Sequence, residues 1–236
     1  MSGALETVLR DGEIEVTGRI VAASNATLFG YASLDEERLP VIYKPVAGER
    51  PLWDFPSGSL ADREVAAFII SQALDWDLVP YTLLRDGPFG IGMVQKWIDI
   101  DEGIDLADLM ESQHQDLRRM VLFDAVINNT DRKFGHLLPT DDGRVRGCDH
   151  GVAFHVQDKL RTVLWNWAGT QISDLELNDL AQLASSLDAP GLGDSLLHHL
   201  SEEEVEMTRH RLARLLAEKC FPTPGTDWPA VPWPPY

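Results

Sequence analysis

Cysteine is nearly absent. Cys148 and Cys220 are the only two in 236 residues, far apart and in no CxxC arrangement, so neither a disulfide framework nor a cysteine-rich zinc module is expected. Positive charge is scarce too. Lys and Arg total 20 against 38 Asp and Glu, a formal net charge of −18. Such a surface repels nucleic acid and the anionic face of a membrane unless a basic patch is concentrated locally. The densest basic stretch, Arg209–Arg214, is interleaved with Leu and Ala on a helical pattern, and forms no such patch. There is no apolar run of about 18 residues, no secretory leader and no internal repeat. These absences read as a cytoplasmic protein with reduced thiols, without nucleic-acid binding or stable membrane association. They leave the oligomeric state open.

What is present falls into two unlike halves. Residues 13–46 alternate in the manner of strands. Ile14–Val16 and Arg19–Ala23 are strand-like, "SNAT" is a turn, Leu28–Leu34 returns as a hairpin partner, and Leu39–Val46 forms a third strand. Alternation there places Lys44 on the face opposite Tyr43. Ser59 or Asp62 can cap the helix "LADREVAAFIISQAL", whose Val65, Phe68, Ile69 and Leu74 give an apolar stripe with Glu64 nearby. "VPYTLLRD" and "FGIGMVQKWID" read as two further strands. Beyond residue 97 the pattern turns helical, with helices over Leu106–Ser112, Gln115–Asn128, 173–186 and 201–219. Two short strand-like pieces, "GHLLPT" and "VRGCDH", flank the turn "DDGR" between them. The expected fold class is α+β and bilobed, with an antiparallel sheet lobe carrying one helix (1–97), a mainly helical lobe (98–221) and a cleft between them. The Pro/Trp-rich end, 222–236, reads as an extended strap over the protein's own surface or as a partner-binding segment.

Four residues in chain order carry the chemistry: Lys44 on the third strand, Glu64 on the next helix, Asp131 after a buried helix, and Asp149 after the short hairpin. Singly, each is ordinary. Together they are the types that phosphoryl transfer from a nucleotide requires. A cation holds the phosphates, a carboxylate fixes that cation, a second carboxylate orients the nucleophile, and a third carries a divalent metal. At an effective dielectric of about 20, a Lys–Glu pair about 4 Å apart gains on the order of 4 kcal/mol before desolvation, enough to fix a rotamer.

"INNTDRKFGHLL" followed by "GRVRGCDHGVAF" resembles the catalytic and metal-binding loops of the atypical protein-kinase-like fold. Its nearest branches are the phosphatidylinositol 3/4-kinases, the HipA-type bacterial kinases and the Fam20-type kinases. The order covers residues 15–155, and the small actinobacterial phosphatidylinositol-kinase-like proteins look similar over nearly the whole chain, including "KLRTVLW" and the Pro-rich end. The resemblance implies an ATP-dependent kinase using Mg²⁺ or Mn²⁺. Asp131 takes the catalytic position, Asp149 holds metal, Lys44 contacts phosphate and Glu64 partners it. Ser24, Asn25 and Thr27 stand at the phosphate loop. The adenine lies along Met93–Trp97, with Gln95 and Trp97 among its neighbours and the main chain as its contact.

Two positions depart from the motif. His136 stands where the second metal-binding Asn is expected, and imidazole suits Mn²⁺ or a softer ion better than Mg²⁺. Asn129 is an alternative ligand. Lys133 replaces the motif's His, and either contacts the transferred phosphate or faces solvent. Three rivals stay open: a nucleotide-binding pseudokinase, an adenylyl transferase on the same fold, and a metallohydrolase built from His136, Cys148, Asp149, His150 and His155. The acidic surface favours a soluble protein or small-molecule acceptor over phosphoinositide. Past the metal loop, Lys159 and Arg161 either hold an acidic acceptor or pair with nearby acids, while Trp165 and Trp167 anchor the helical lobe.

Overall fold

A five-stranded antiparallel sheet forms the first lobe, in spatial order β1-β2-β3-β5-β4. Its strands are β1 (Glu13–Arg19), β2 (Leu28–Leu34), β3 (Glu37–Pro45), β4 (Thr82–Gly87) and β5 (Gly90–Lys96). The computed structural model describes residues 3–20 and 25–236, so the strand residues expected at 21–23 lie outside the described residues. The period-2 alternation of β3 is obeyed: Val41 and Tyr43 are fully buried while Lys44 is half-buried on the other face. The buried face is covered by α1 (Gly3–Asp11), a helix the sequence reading did not anticipate. Its Val8 and Leu9 pack with Ile14, Ala32, Val41, Tyr43 and Val94 in a small core of their own.

The helix α2 (Leu60–Ala73) packs on both sides, against β4 and β5 of the sheet, with Phe68 edge-on to Tyr81, and against the helical lobe. Its Ala66, Ala67, Ile70 and Leu74 belong to the large core of the helical lobe. Arg63 is buried against Glu204 and donates to the Ala153 carbonyl at 2.7 Å, and His199 lies 2.7 Å from Asp62. Burial therefore surrounds this helix rather than following the single stripe expected. Ser59 occupies the cap position but its hydroxyl donates to the Pro56 carbonyl, and Asp62 is inside the helix. Glu49 caps instead, accepting from the main-chain nitrogens of Leu60 (3.2 Å) and Ala61 (2.9 Å).

The second lobe contains α3 (Leu106–Glu111), α4 (Gln115–Ile127), the hairpin β6 (Leu137–Pro139) and β7 (Val145–Gly147), α5 (Asp174–Asp188), α6 (Leu192–Leu197) and α7 (Glu202–Glu218). Ser173 and Ser201 start α5 and α7 with reciprocal capping boxes. The short α6 was not anticipated. No helix among the described residues is long and apolar enough to cross a membrane. The segment 222–236 runs across the surface of the helical lobe. Ala230 accepts from Thr162 N and from the Trp165 indole, and Phe134 N donates to the Pro235 carbonyl at 2.9 Å.

Candidate active site

Between the lobes, β3 and the start of α2 face the turns that follow α4 and β7. Lys44, Glu64, Asp131, Asp149 and Asn25 line one small cavity of about 50 Å³ together with Glu49 and the first residues of α2. Lys44 Nζ donates to Glu64 at 2.6 Å and to Asp149 at 2.8 Å. Burial disfavours its charge, but Asp149 and Glu64 outweigh that and raise its pKa. The same lysine holds Asp149 well below the usual carboxylate range. Asp149 adopts φ 60°, an uncommon backbone for a non-glycine residue. This turn sends its carboxylate to the cleft and the next side chain, His150, inward.

Asp131 follows α4, which ends at Asn128 in the left-handed conformation (φ 52°). That turn is secured by Asn128, whose amide donates to the carbonyls of His155 and Gln157. The Asp131 carboxylate pairs with Lys133 Nζ at 3.1 Å. Burial raises the Asp131 pKa against the pull of Lys133. Lys133 thus faces the site rather than open solvent.

His136 Nε2 lies 3.4 Å from the second oxygen of Asp149. Burial lowers the imidazole pKa to about 4 despite that carboxylate, so the ring is neutral at pH 7. A neutral imidazole nitrogen beside a carboxylate oxygen matches the roughly 3 Å that separates neighbouring ligands of an octahedral ion at about 2.1 Å. On this spacing the pair would offer a small divalent cation two adjacent ligands. Among the described residues no group of three or more His, Cys, Asp or Glu converges as an all-protein metal site.

Other expected members are elsewhere. Ser24 lies outside the described residues. Thr27 is buried beside the cavity-lining Asn25 but does not line the cavity. Gln95 is buried and donates to Thr82 at 2.8 Å. β5 lies between β3 and β4, so from Gly92 to Gln95 it is paired along both edges, and the adenine contact expected along Met93–Trp97 is left with the end of that stretch. Trp97 stands edge-on to Phe29 and lines a separate acidic recess of about 1140 Å³. Asn129 is fully buried, its amide donating to Asp124 and its carbonyl accepting from Asp131 N, so it has no position free for a metal. The His/Cys cluster of the metallohydrolase reading is dispersed. His150 meets Arg132, the His155 ring accepts from Gln157 N, and burial pushes the Cys148 thiol up to about 12.

Lys159 is buried with Asp54 at 3.0 Å, between the rings of Trp53 and Trp228, and Arg161 donates to Pro229 and Val231 carbonyls. Trp167 is buried in the helical core, while Trp165 is half-buried under the strap. Sequence reasoning missed Glu49, Asp124, Arg132 and the inward role of His150. Only an alternation of buried and exposed positions could have flagged Asp124, and every residue of its helix from Met120 to Ile127 is buried.

The chain resembles solved kinases in fold. The crystal structure of the Helicobacter pylori proinflammatory kinase CtkA superposes with a TM-score of 0.51 at 14% identity, covering 90% of this chain and 94% of that one. The Golgi casein kinase gives 0.53 at 13% identity over 92% of this chain and 75% of that one. At these identities the likeness shows the fold alone: a bilobed, protein-kinase-like α+β arrangement. No family model matches the sequence. The protein Rv2133c of Mycobacterium tuberculosis (strain ATCC 25618 / H37Rv) is 44% identical over 262 residues, covering 96% of this chain and 94% of that protein. With that identity sustained over nearly the full length of both, the chain belongs to the family of mycobacterial Rv2133c.

Proposed function

We propose that this chain is an ATP-dependent phosphotransferase, an atypical kinase of the group that includes the phosphatidylinositol 3/4-kinase-like, HipA-type and Fam20-type enzymes. One observation carries the reading: Lys44, shared between Glu64 and Asp149, faces Asp131 across the same small cavity. Lys44 would hold the phosphates and Glu64 would hold Lys44. Asp149 and His136 would hold a divalent cation, which when bound supplies charge neutralisation on the phosphates. Asp131, with its raised pKa, would accept the proton of an acceptor hydroxyl as that oxygen bonds to the transferred phosphorus and ADP leaves. Lys133 would lie beside the transferred group. The net charge of −18 supports a soluble protein or small-molecule acceptor rather than a lipid in an anionic bilayer.

His136 favours a second reading, a nucleotide-binding switch without transfer, because imidazole replaces the oxygen ligand that Mg²⁺ prefers. Calorimetric titration of ATP with Mg²⁺ and then Mn²⁺, into the wild type and Asp149→Asn, tests the site. Metal-dependent binding lost in the variant supports it; no binding with either metal overturns it. Label from γ-³²P-ATP on an acceptor then marks a kinase, label from α-³²P-ATP an adenylyl transferase, and binding without either a pseudokinase.

A further inference from the structure

A continuous chain of polar contacts runs from Lys44 to Asp131 through Glu64, His150, Arg132, Asp124 and Asn129, of which only Glu64 lines the cavity. Glu64 accepts Lys44 on one oxygen and the main-chain nitrogen of His150, at 2.9 Å, on the other. The His150 ring nitrogen Nε2 lies 2.7 Å from Arg132 Nη2. Arg132 then forks onto Asp124, its Nε and Nη2 donating at 2.9 and 2.8 Å, while Nη1 donates to the Cys148 carbonyl at 3.1 Å. Asp124 also accepts from the Asn129 amide, and the Asn129 carbonyl accepts from Asp131 N at 3.0 Å. Asp124, Asn129, Arg132 and His150 are all fully buried or within 1% of it.

The chemistry fixes the protons. Arginine only donates, so His150 Nε2 is the acceptor and the neutral ring carries its proton on Nδ1. That buried N–H has no hydrogen-bond partner; the nearest carboxylate oxygen is Glu64's, 3.9 Å away. Gly147 leaves the passage open, since a Cβ there would come within 3.1 Å of Arg132 Nη1 and 2.9 Å of Met120. Phe123 closes the other side, edge-on to the His150 ring at 5.5 Å. A purely space-filling role does not require an acceptor on His150 or a fork on Asp124; apolar residues of similar volume fill a core as well.

We infer that His150, Arg132 and Asp124 are positioning residues that tie the placement of Asp131 to the Lys44–Glu64 pair. The inference rests on the proposed phosphotransfer for its kinetic consequence, but the coupling itself is read without turnover. Three variants test it: His150→Leu removes the acceptor for Arg132, His150→Gln restores one, and Glu64→Gln weakens the opposite end of the chain. Hydrogen exchange of the peptide covering 128–137 is followed by mass spectrometry, with thermal melting alongside. His150→Leu and Glu64→Gln are expected to speed exchange in 128–137 severalfold while α5 and α7 keep wild-type protection, and His150→Gln to return the loop towards wild type. With an acceptor in hand, kcat of His150→Leu falls by about tenfold to a hundredfold, the scale of a misplaced catalytic group, while KM for ATP stays near wild type.

Exchange that rises throughout the helical lobe, with no rescue by His150→Gln, overturns the inference in favour of plain core packing. Unchanged 128–137 exchange in Glu64→Gln overturns it as well. Should the wild type transfer nothing, the phosphotransfer reading fails, and the exchange results still decide the coupling on their own.

Discussion

The most informative residue is His136. Its imidazole is 14% exposed and is kept neutral by burial, with a pKa of about 4 against an ordinary value of 6.5. The folded state therefore binds fewer protons than the unfolded chain between about pH 6.5 and about pH 4. Stability is full above that window and is lost as pH falls through it, by about 3 kcal/mol once the ring is protonated in both states. His150, shifted in the same direction by burial, adds to the loss. Thermal melts of metal-free protein should fall steadily from pH 7 to 4.5, and the fall should be shallower in His136→Asn. Parallel curves for the two proteins would remove His136 from the account. The same variant restores an oxygen ligand beside Asp149, so calorimetry should show ATP binding with Mg²⁺ strengthened relative to Mn²⁺. An unchanged metal ratio would mean that His136 does not touch the ion.

Among the elements, the start of α2 is where local structure and the site meet. Glu49 satisfies the nitrogens of Leu60 and Ala61 and its carboxylate lines the same cavity as Lys44 and Asp131. Stability and affinity then move in opposite directions. Glu49→Ala should destabilise the fold by about 1 kcal/mol, the usual effect of losing a helix cap. Yet it should tighten nucleotide binding roughly twofold to fivefold, because a negative charge leaves the phosphate region and the helix terminus is exposed to the ligand. Denaturant unfolding and calorimetry on one preparation check both signs; weaker nucleotide binding in Glu49→Ala would show that the carboxylate assists the site.

Much of this was legible in the sequence for a physical reason. Strand β3 announces itself through alternation, and α5 and α7 have Ser-x-x-Glu starts. The four charged residues of the site could be ordered because phosphoryl transfer dictates their types. Glu49 was not legible, since a cap eleven residues upstream of its helix leaves no local pattern. Nor were Asp124 and Arg132, a fully buried pair on the all-round buried half of a helix and the loop after it. The partner of Gln95 was not legible either, because a place on the strand Met93–Trp97 says nothing of which hydroxyl, here that of Thr82, takes its amide.

For the molecule as a whole, the packing of α2 decides how the lobes behave. The helix that carries Glu64 is held by the helical lobe through Ala66, Ala67, Ile70 and Leu74, by the buried Arg63–Glu204 pair, and by Asp62 with His199. The sheet packs on the same helix along β4 and β5 and reaches it through Lys44, which also bridges directly to Asp149. The sheet lobe keeps a small core of its own, and α2 with its ion pairs ties that lobe to the helical one. The 236-residue chain should melt as one cooperative unit, with calorimetric and van't Hoff enthalpies agreeing. Arg63→Ala sharpens the test, because it leaves the Glu204 carboxylate without its buried partner and should cost about 3–5 kcal/mol. If α2 joins the lobes, that loss lowers one transition for the entire chain, and tryptophan fluorescence and far-UV circular dichroism shift together. Should the variant instead split the melt into an unchanged sheet transition and a lowered helical one, α2 would be an appendage of the helical lobe. Glu64 would then reach Lys44 only when the two lobes happened to be closed.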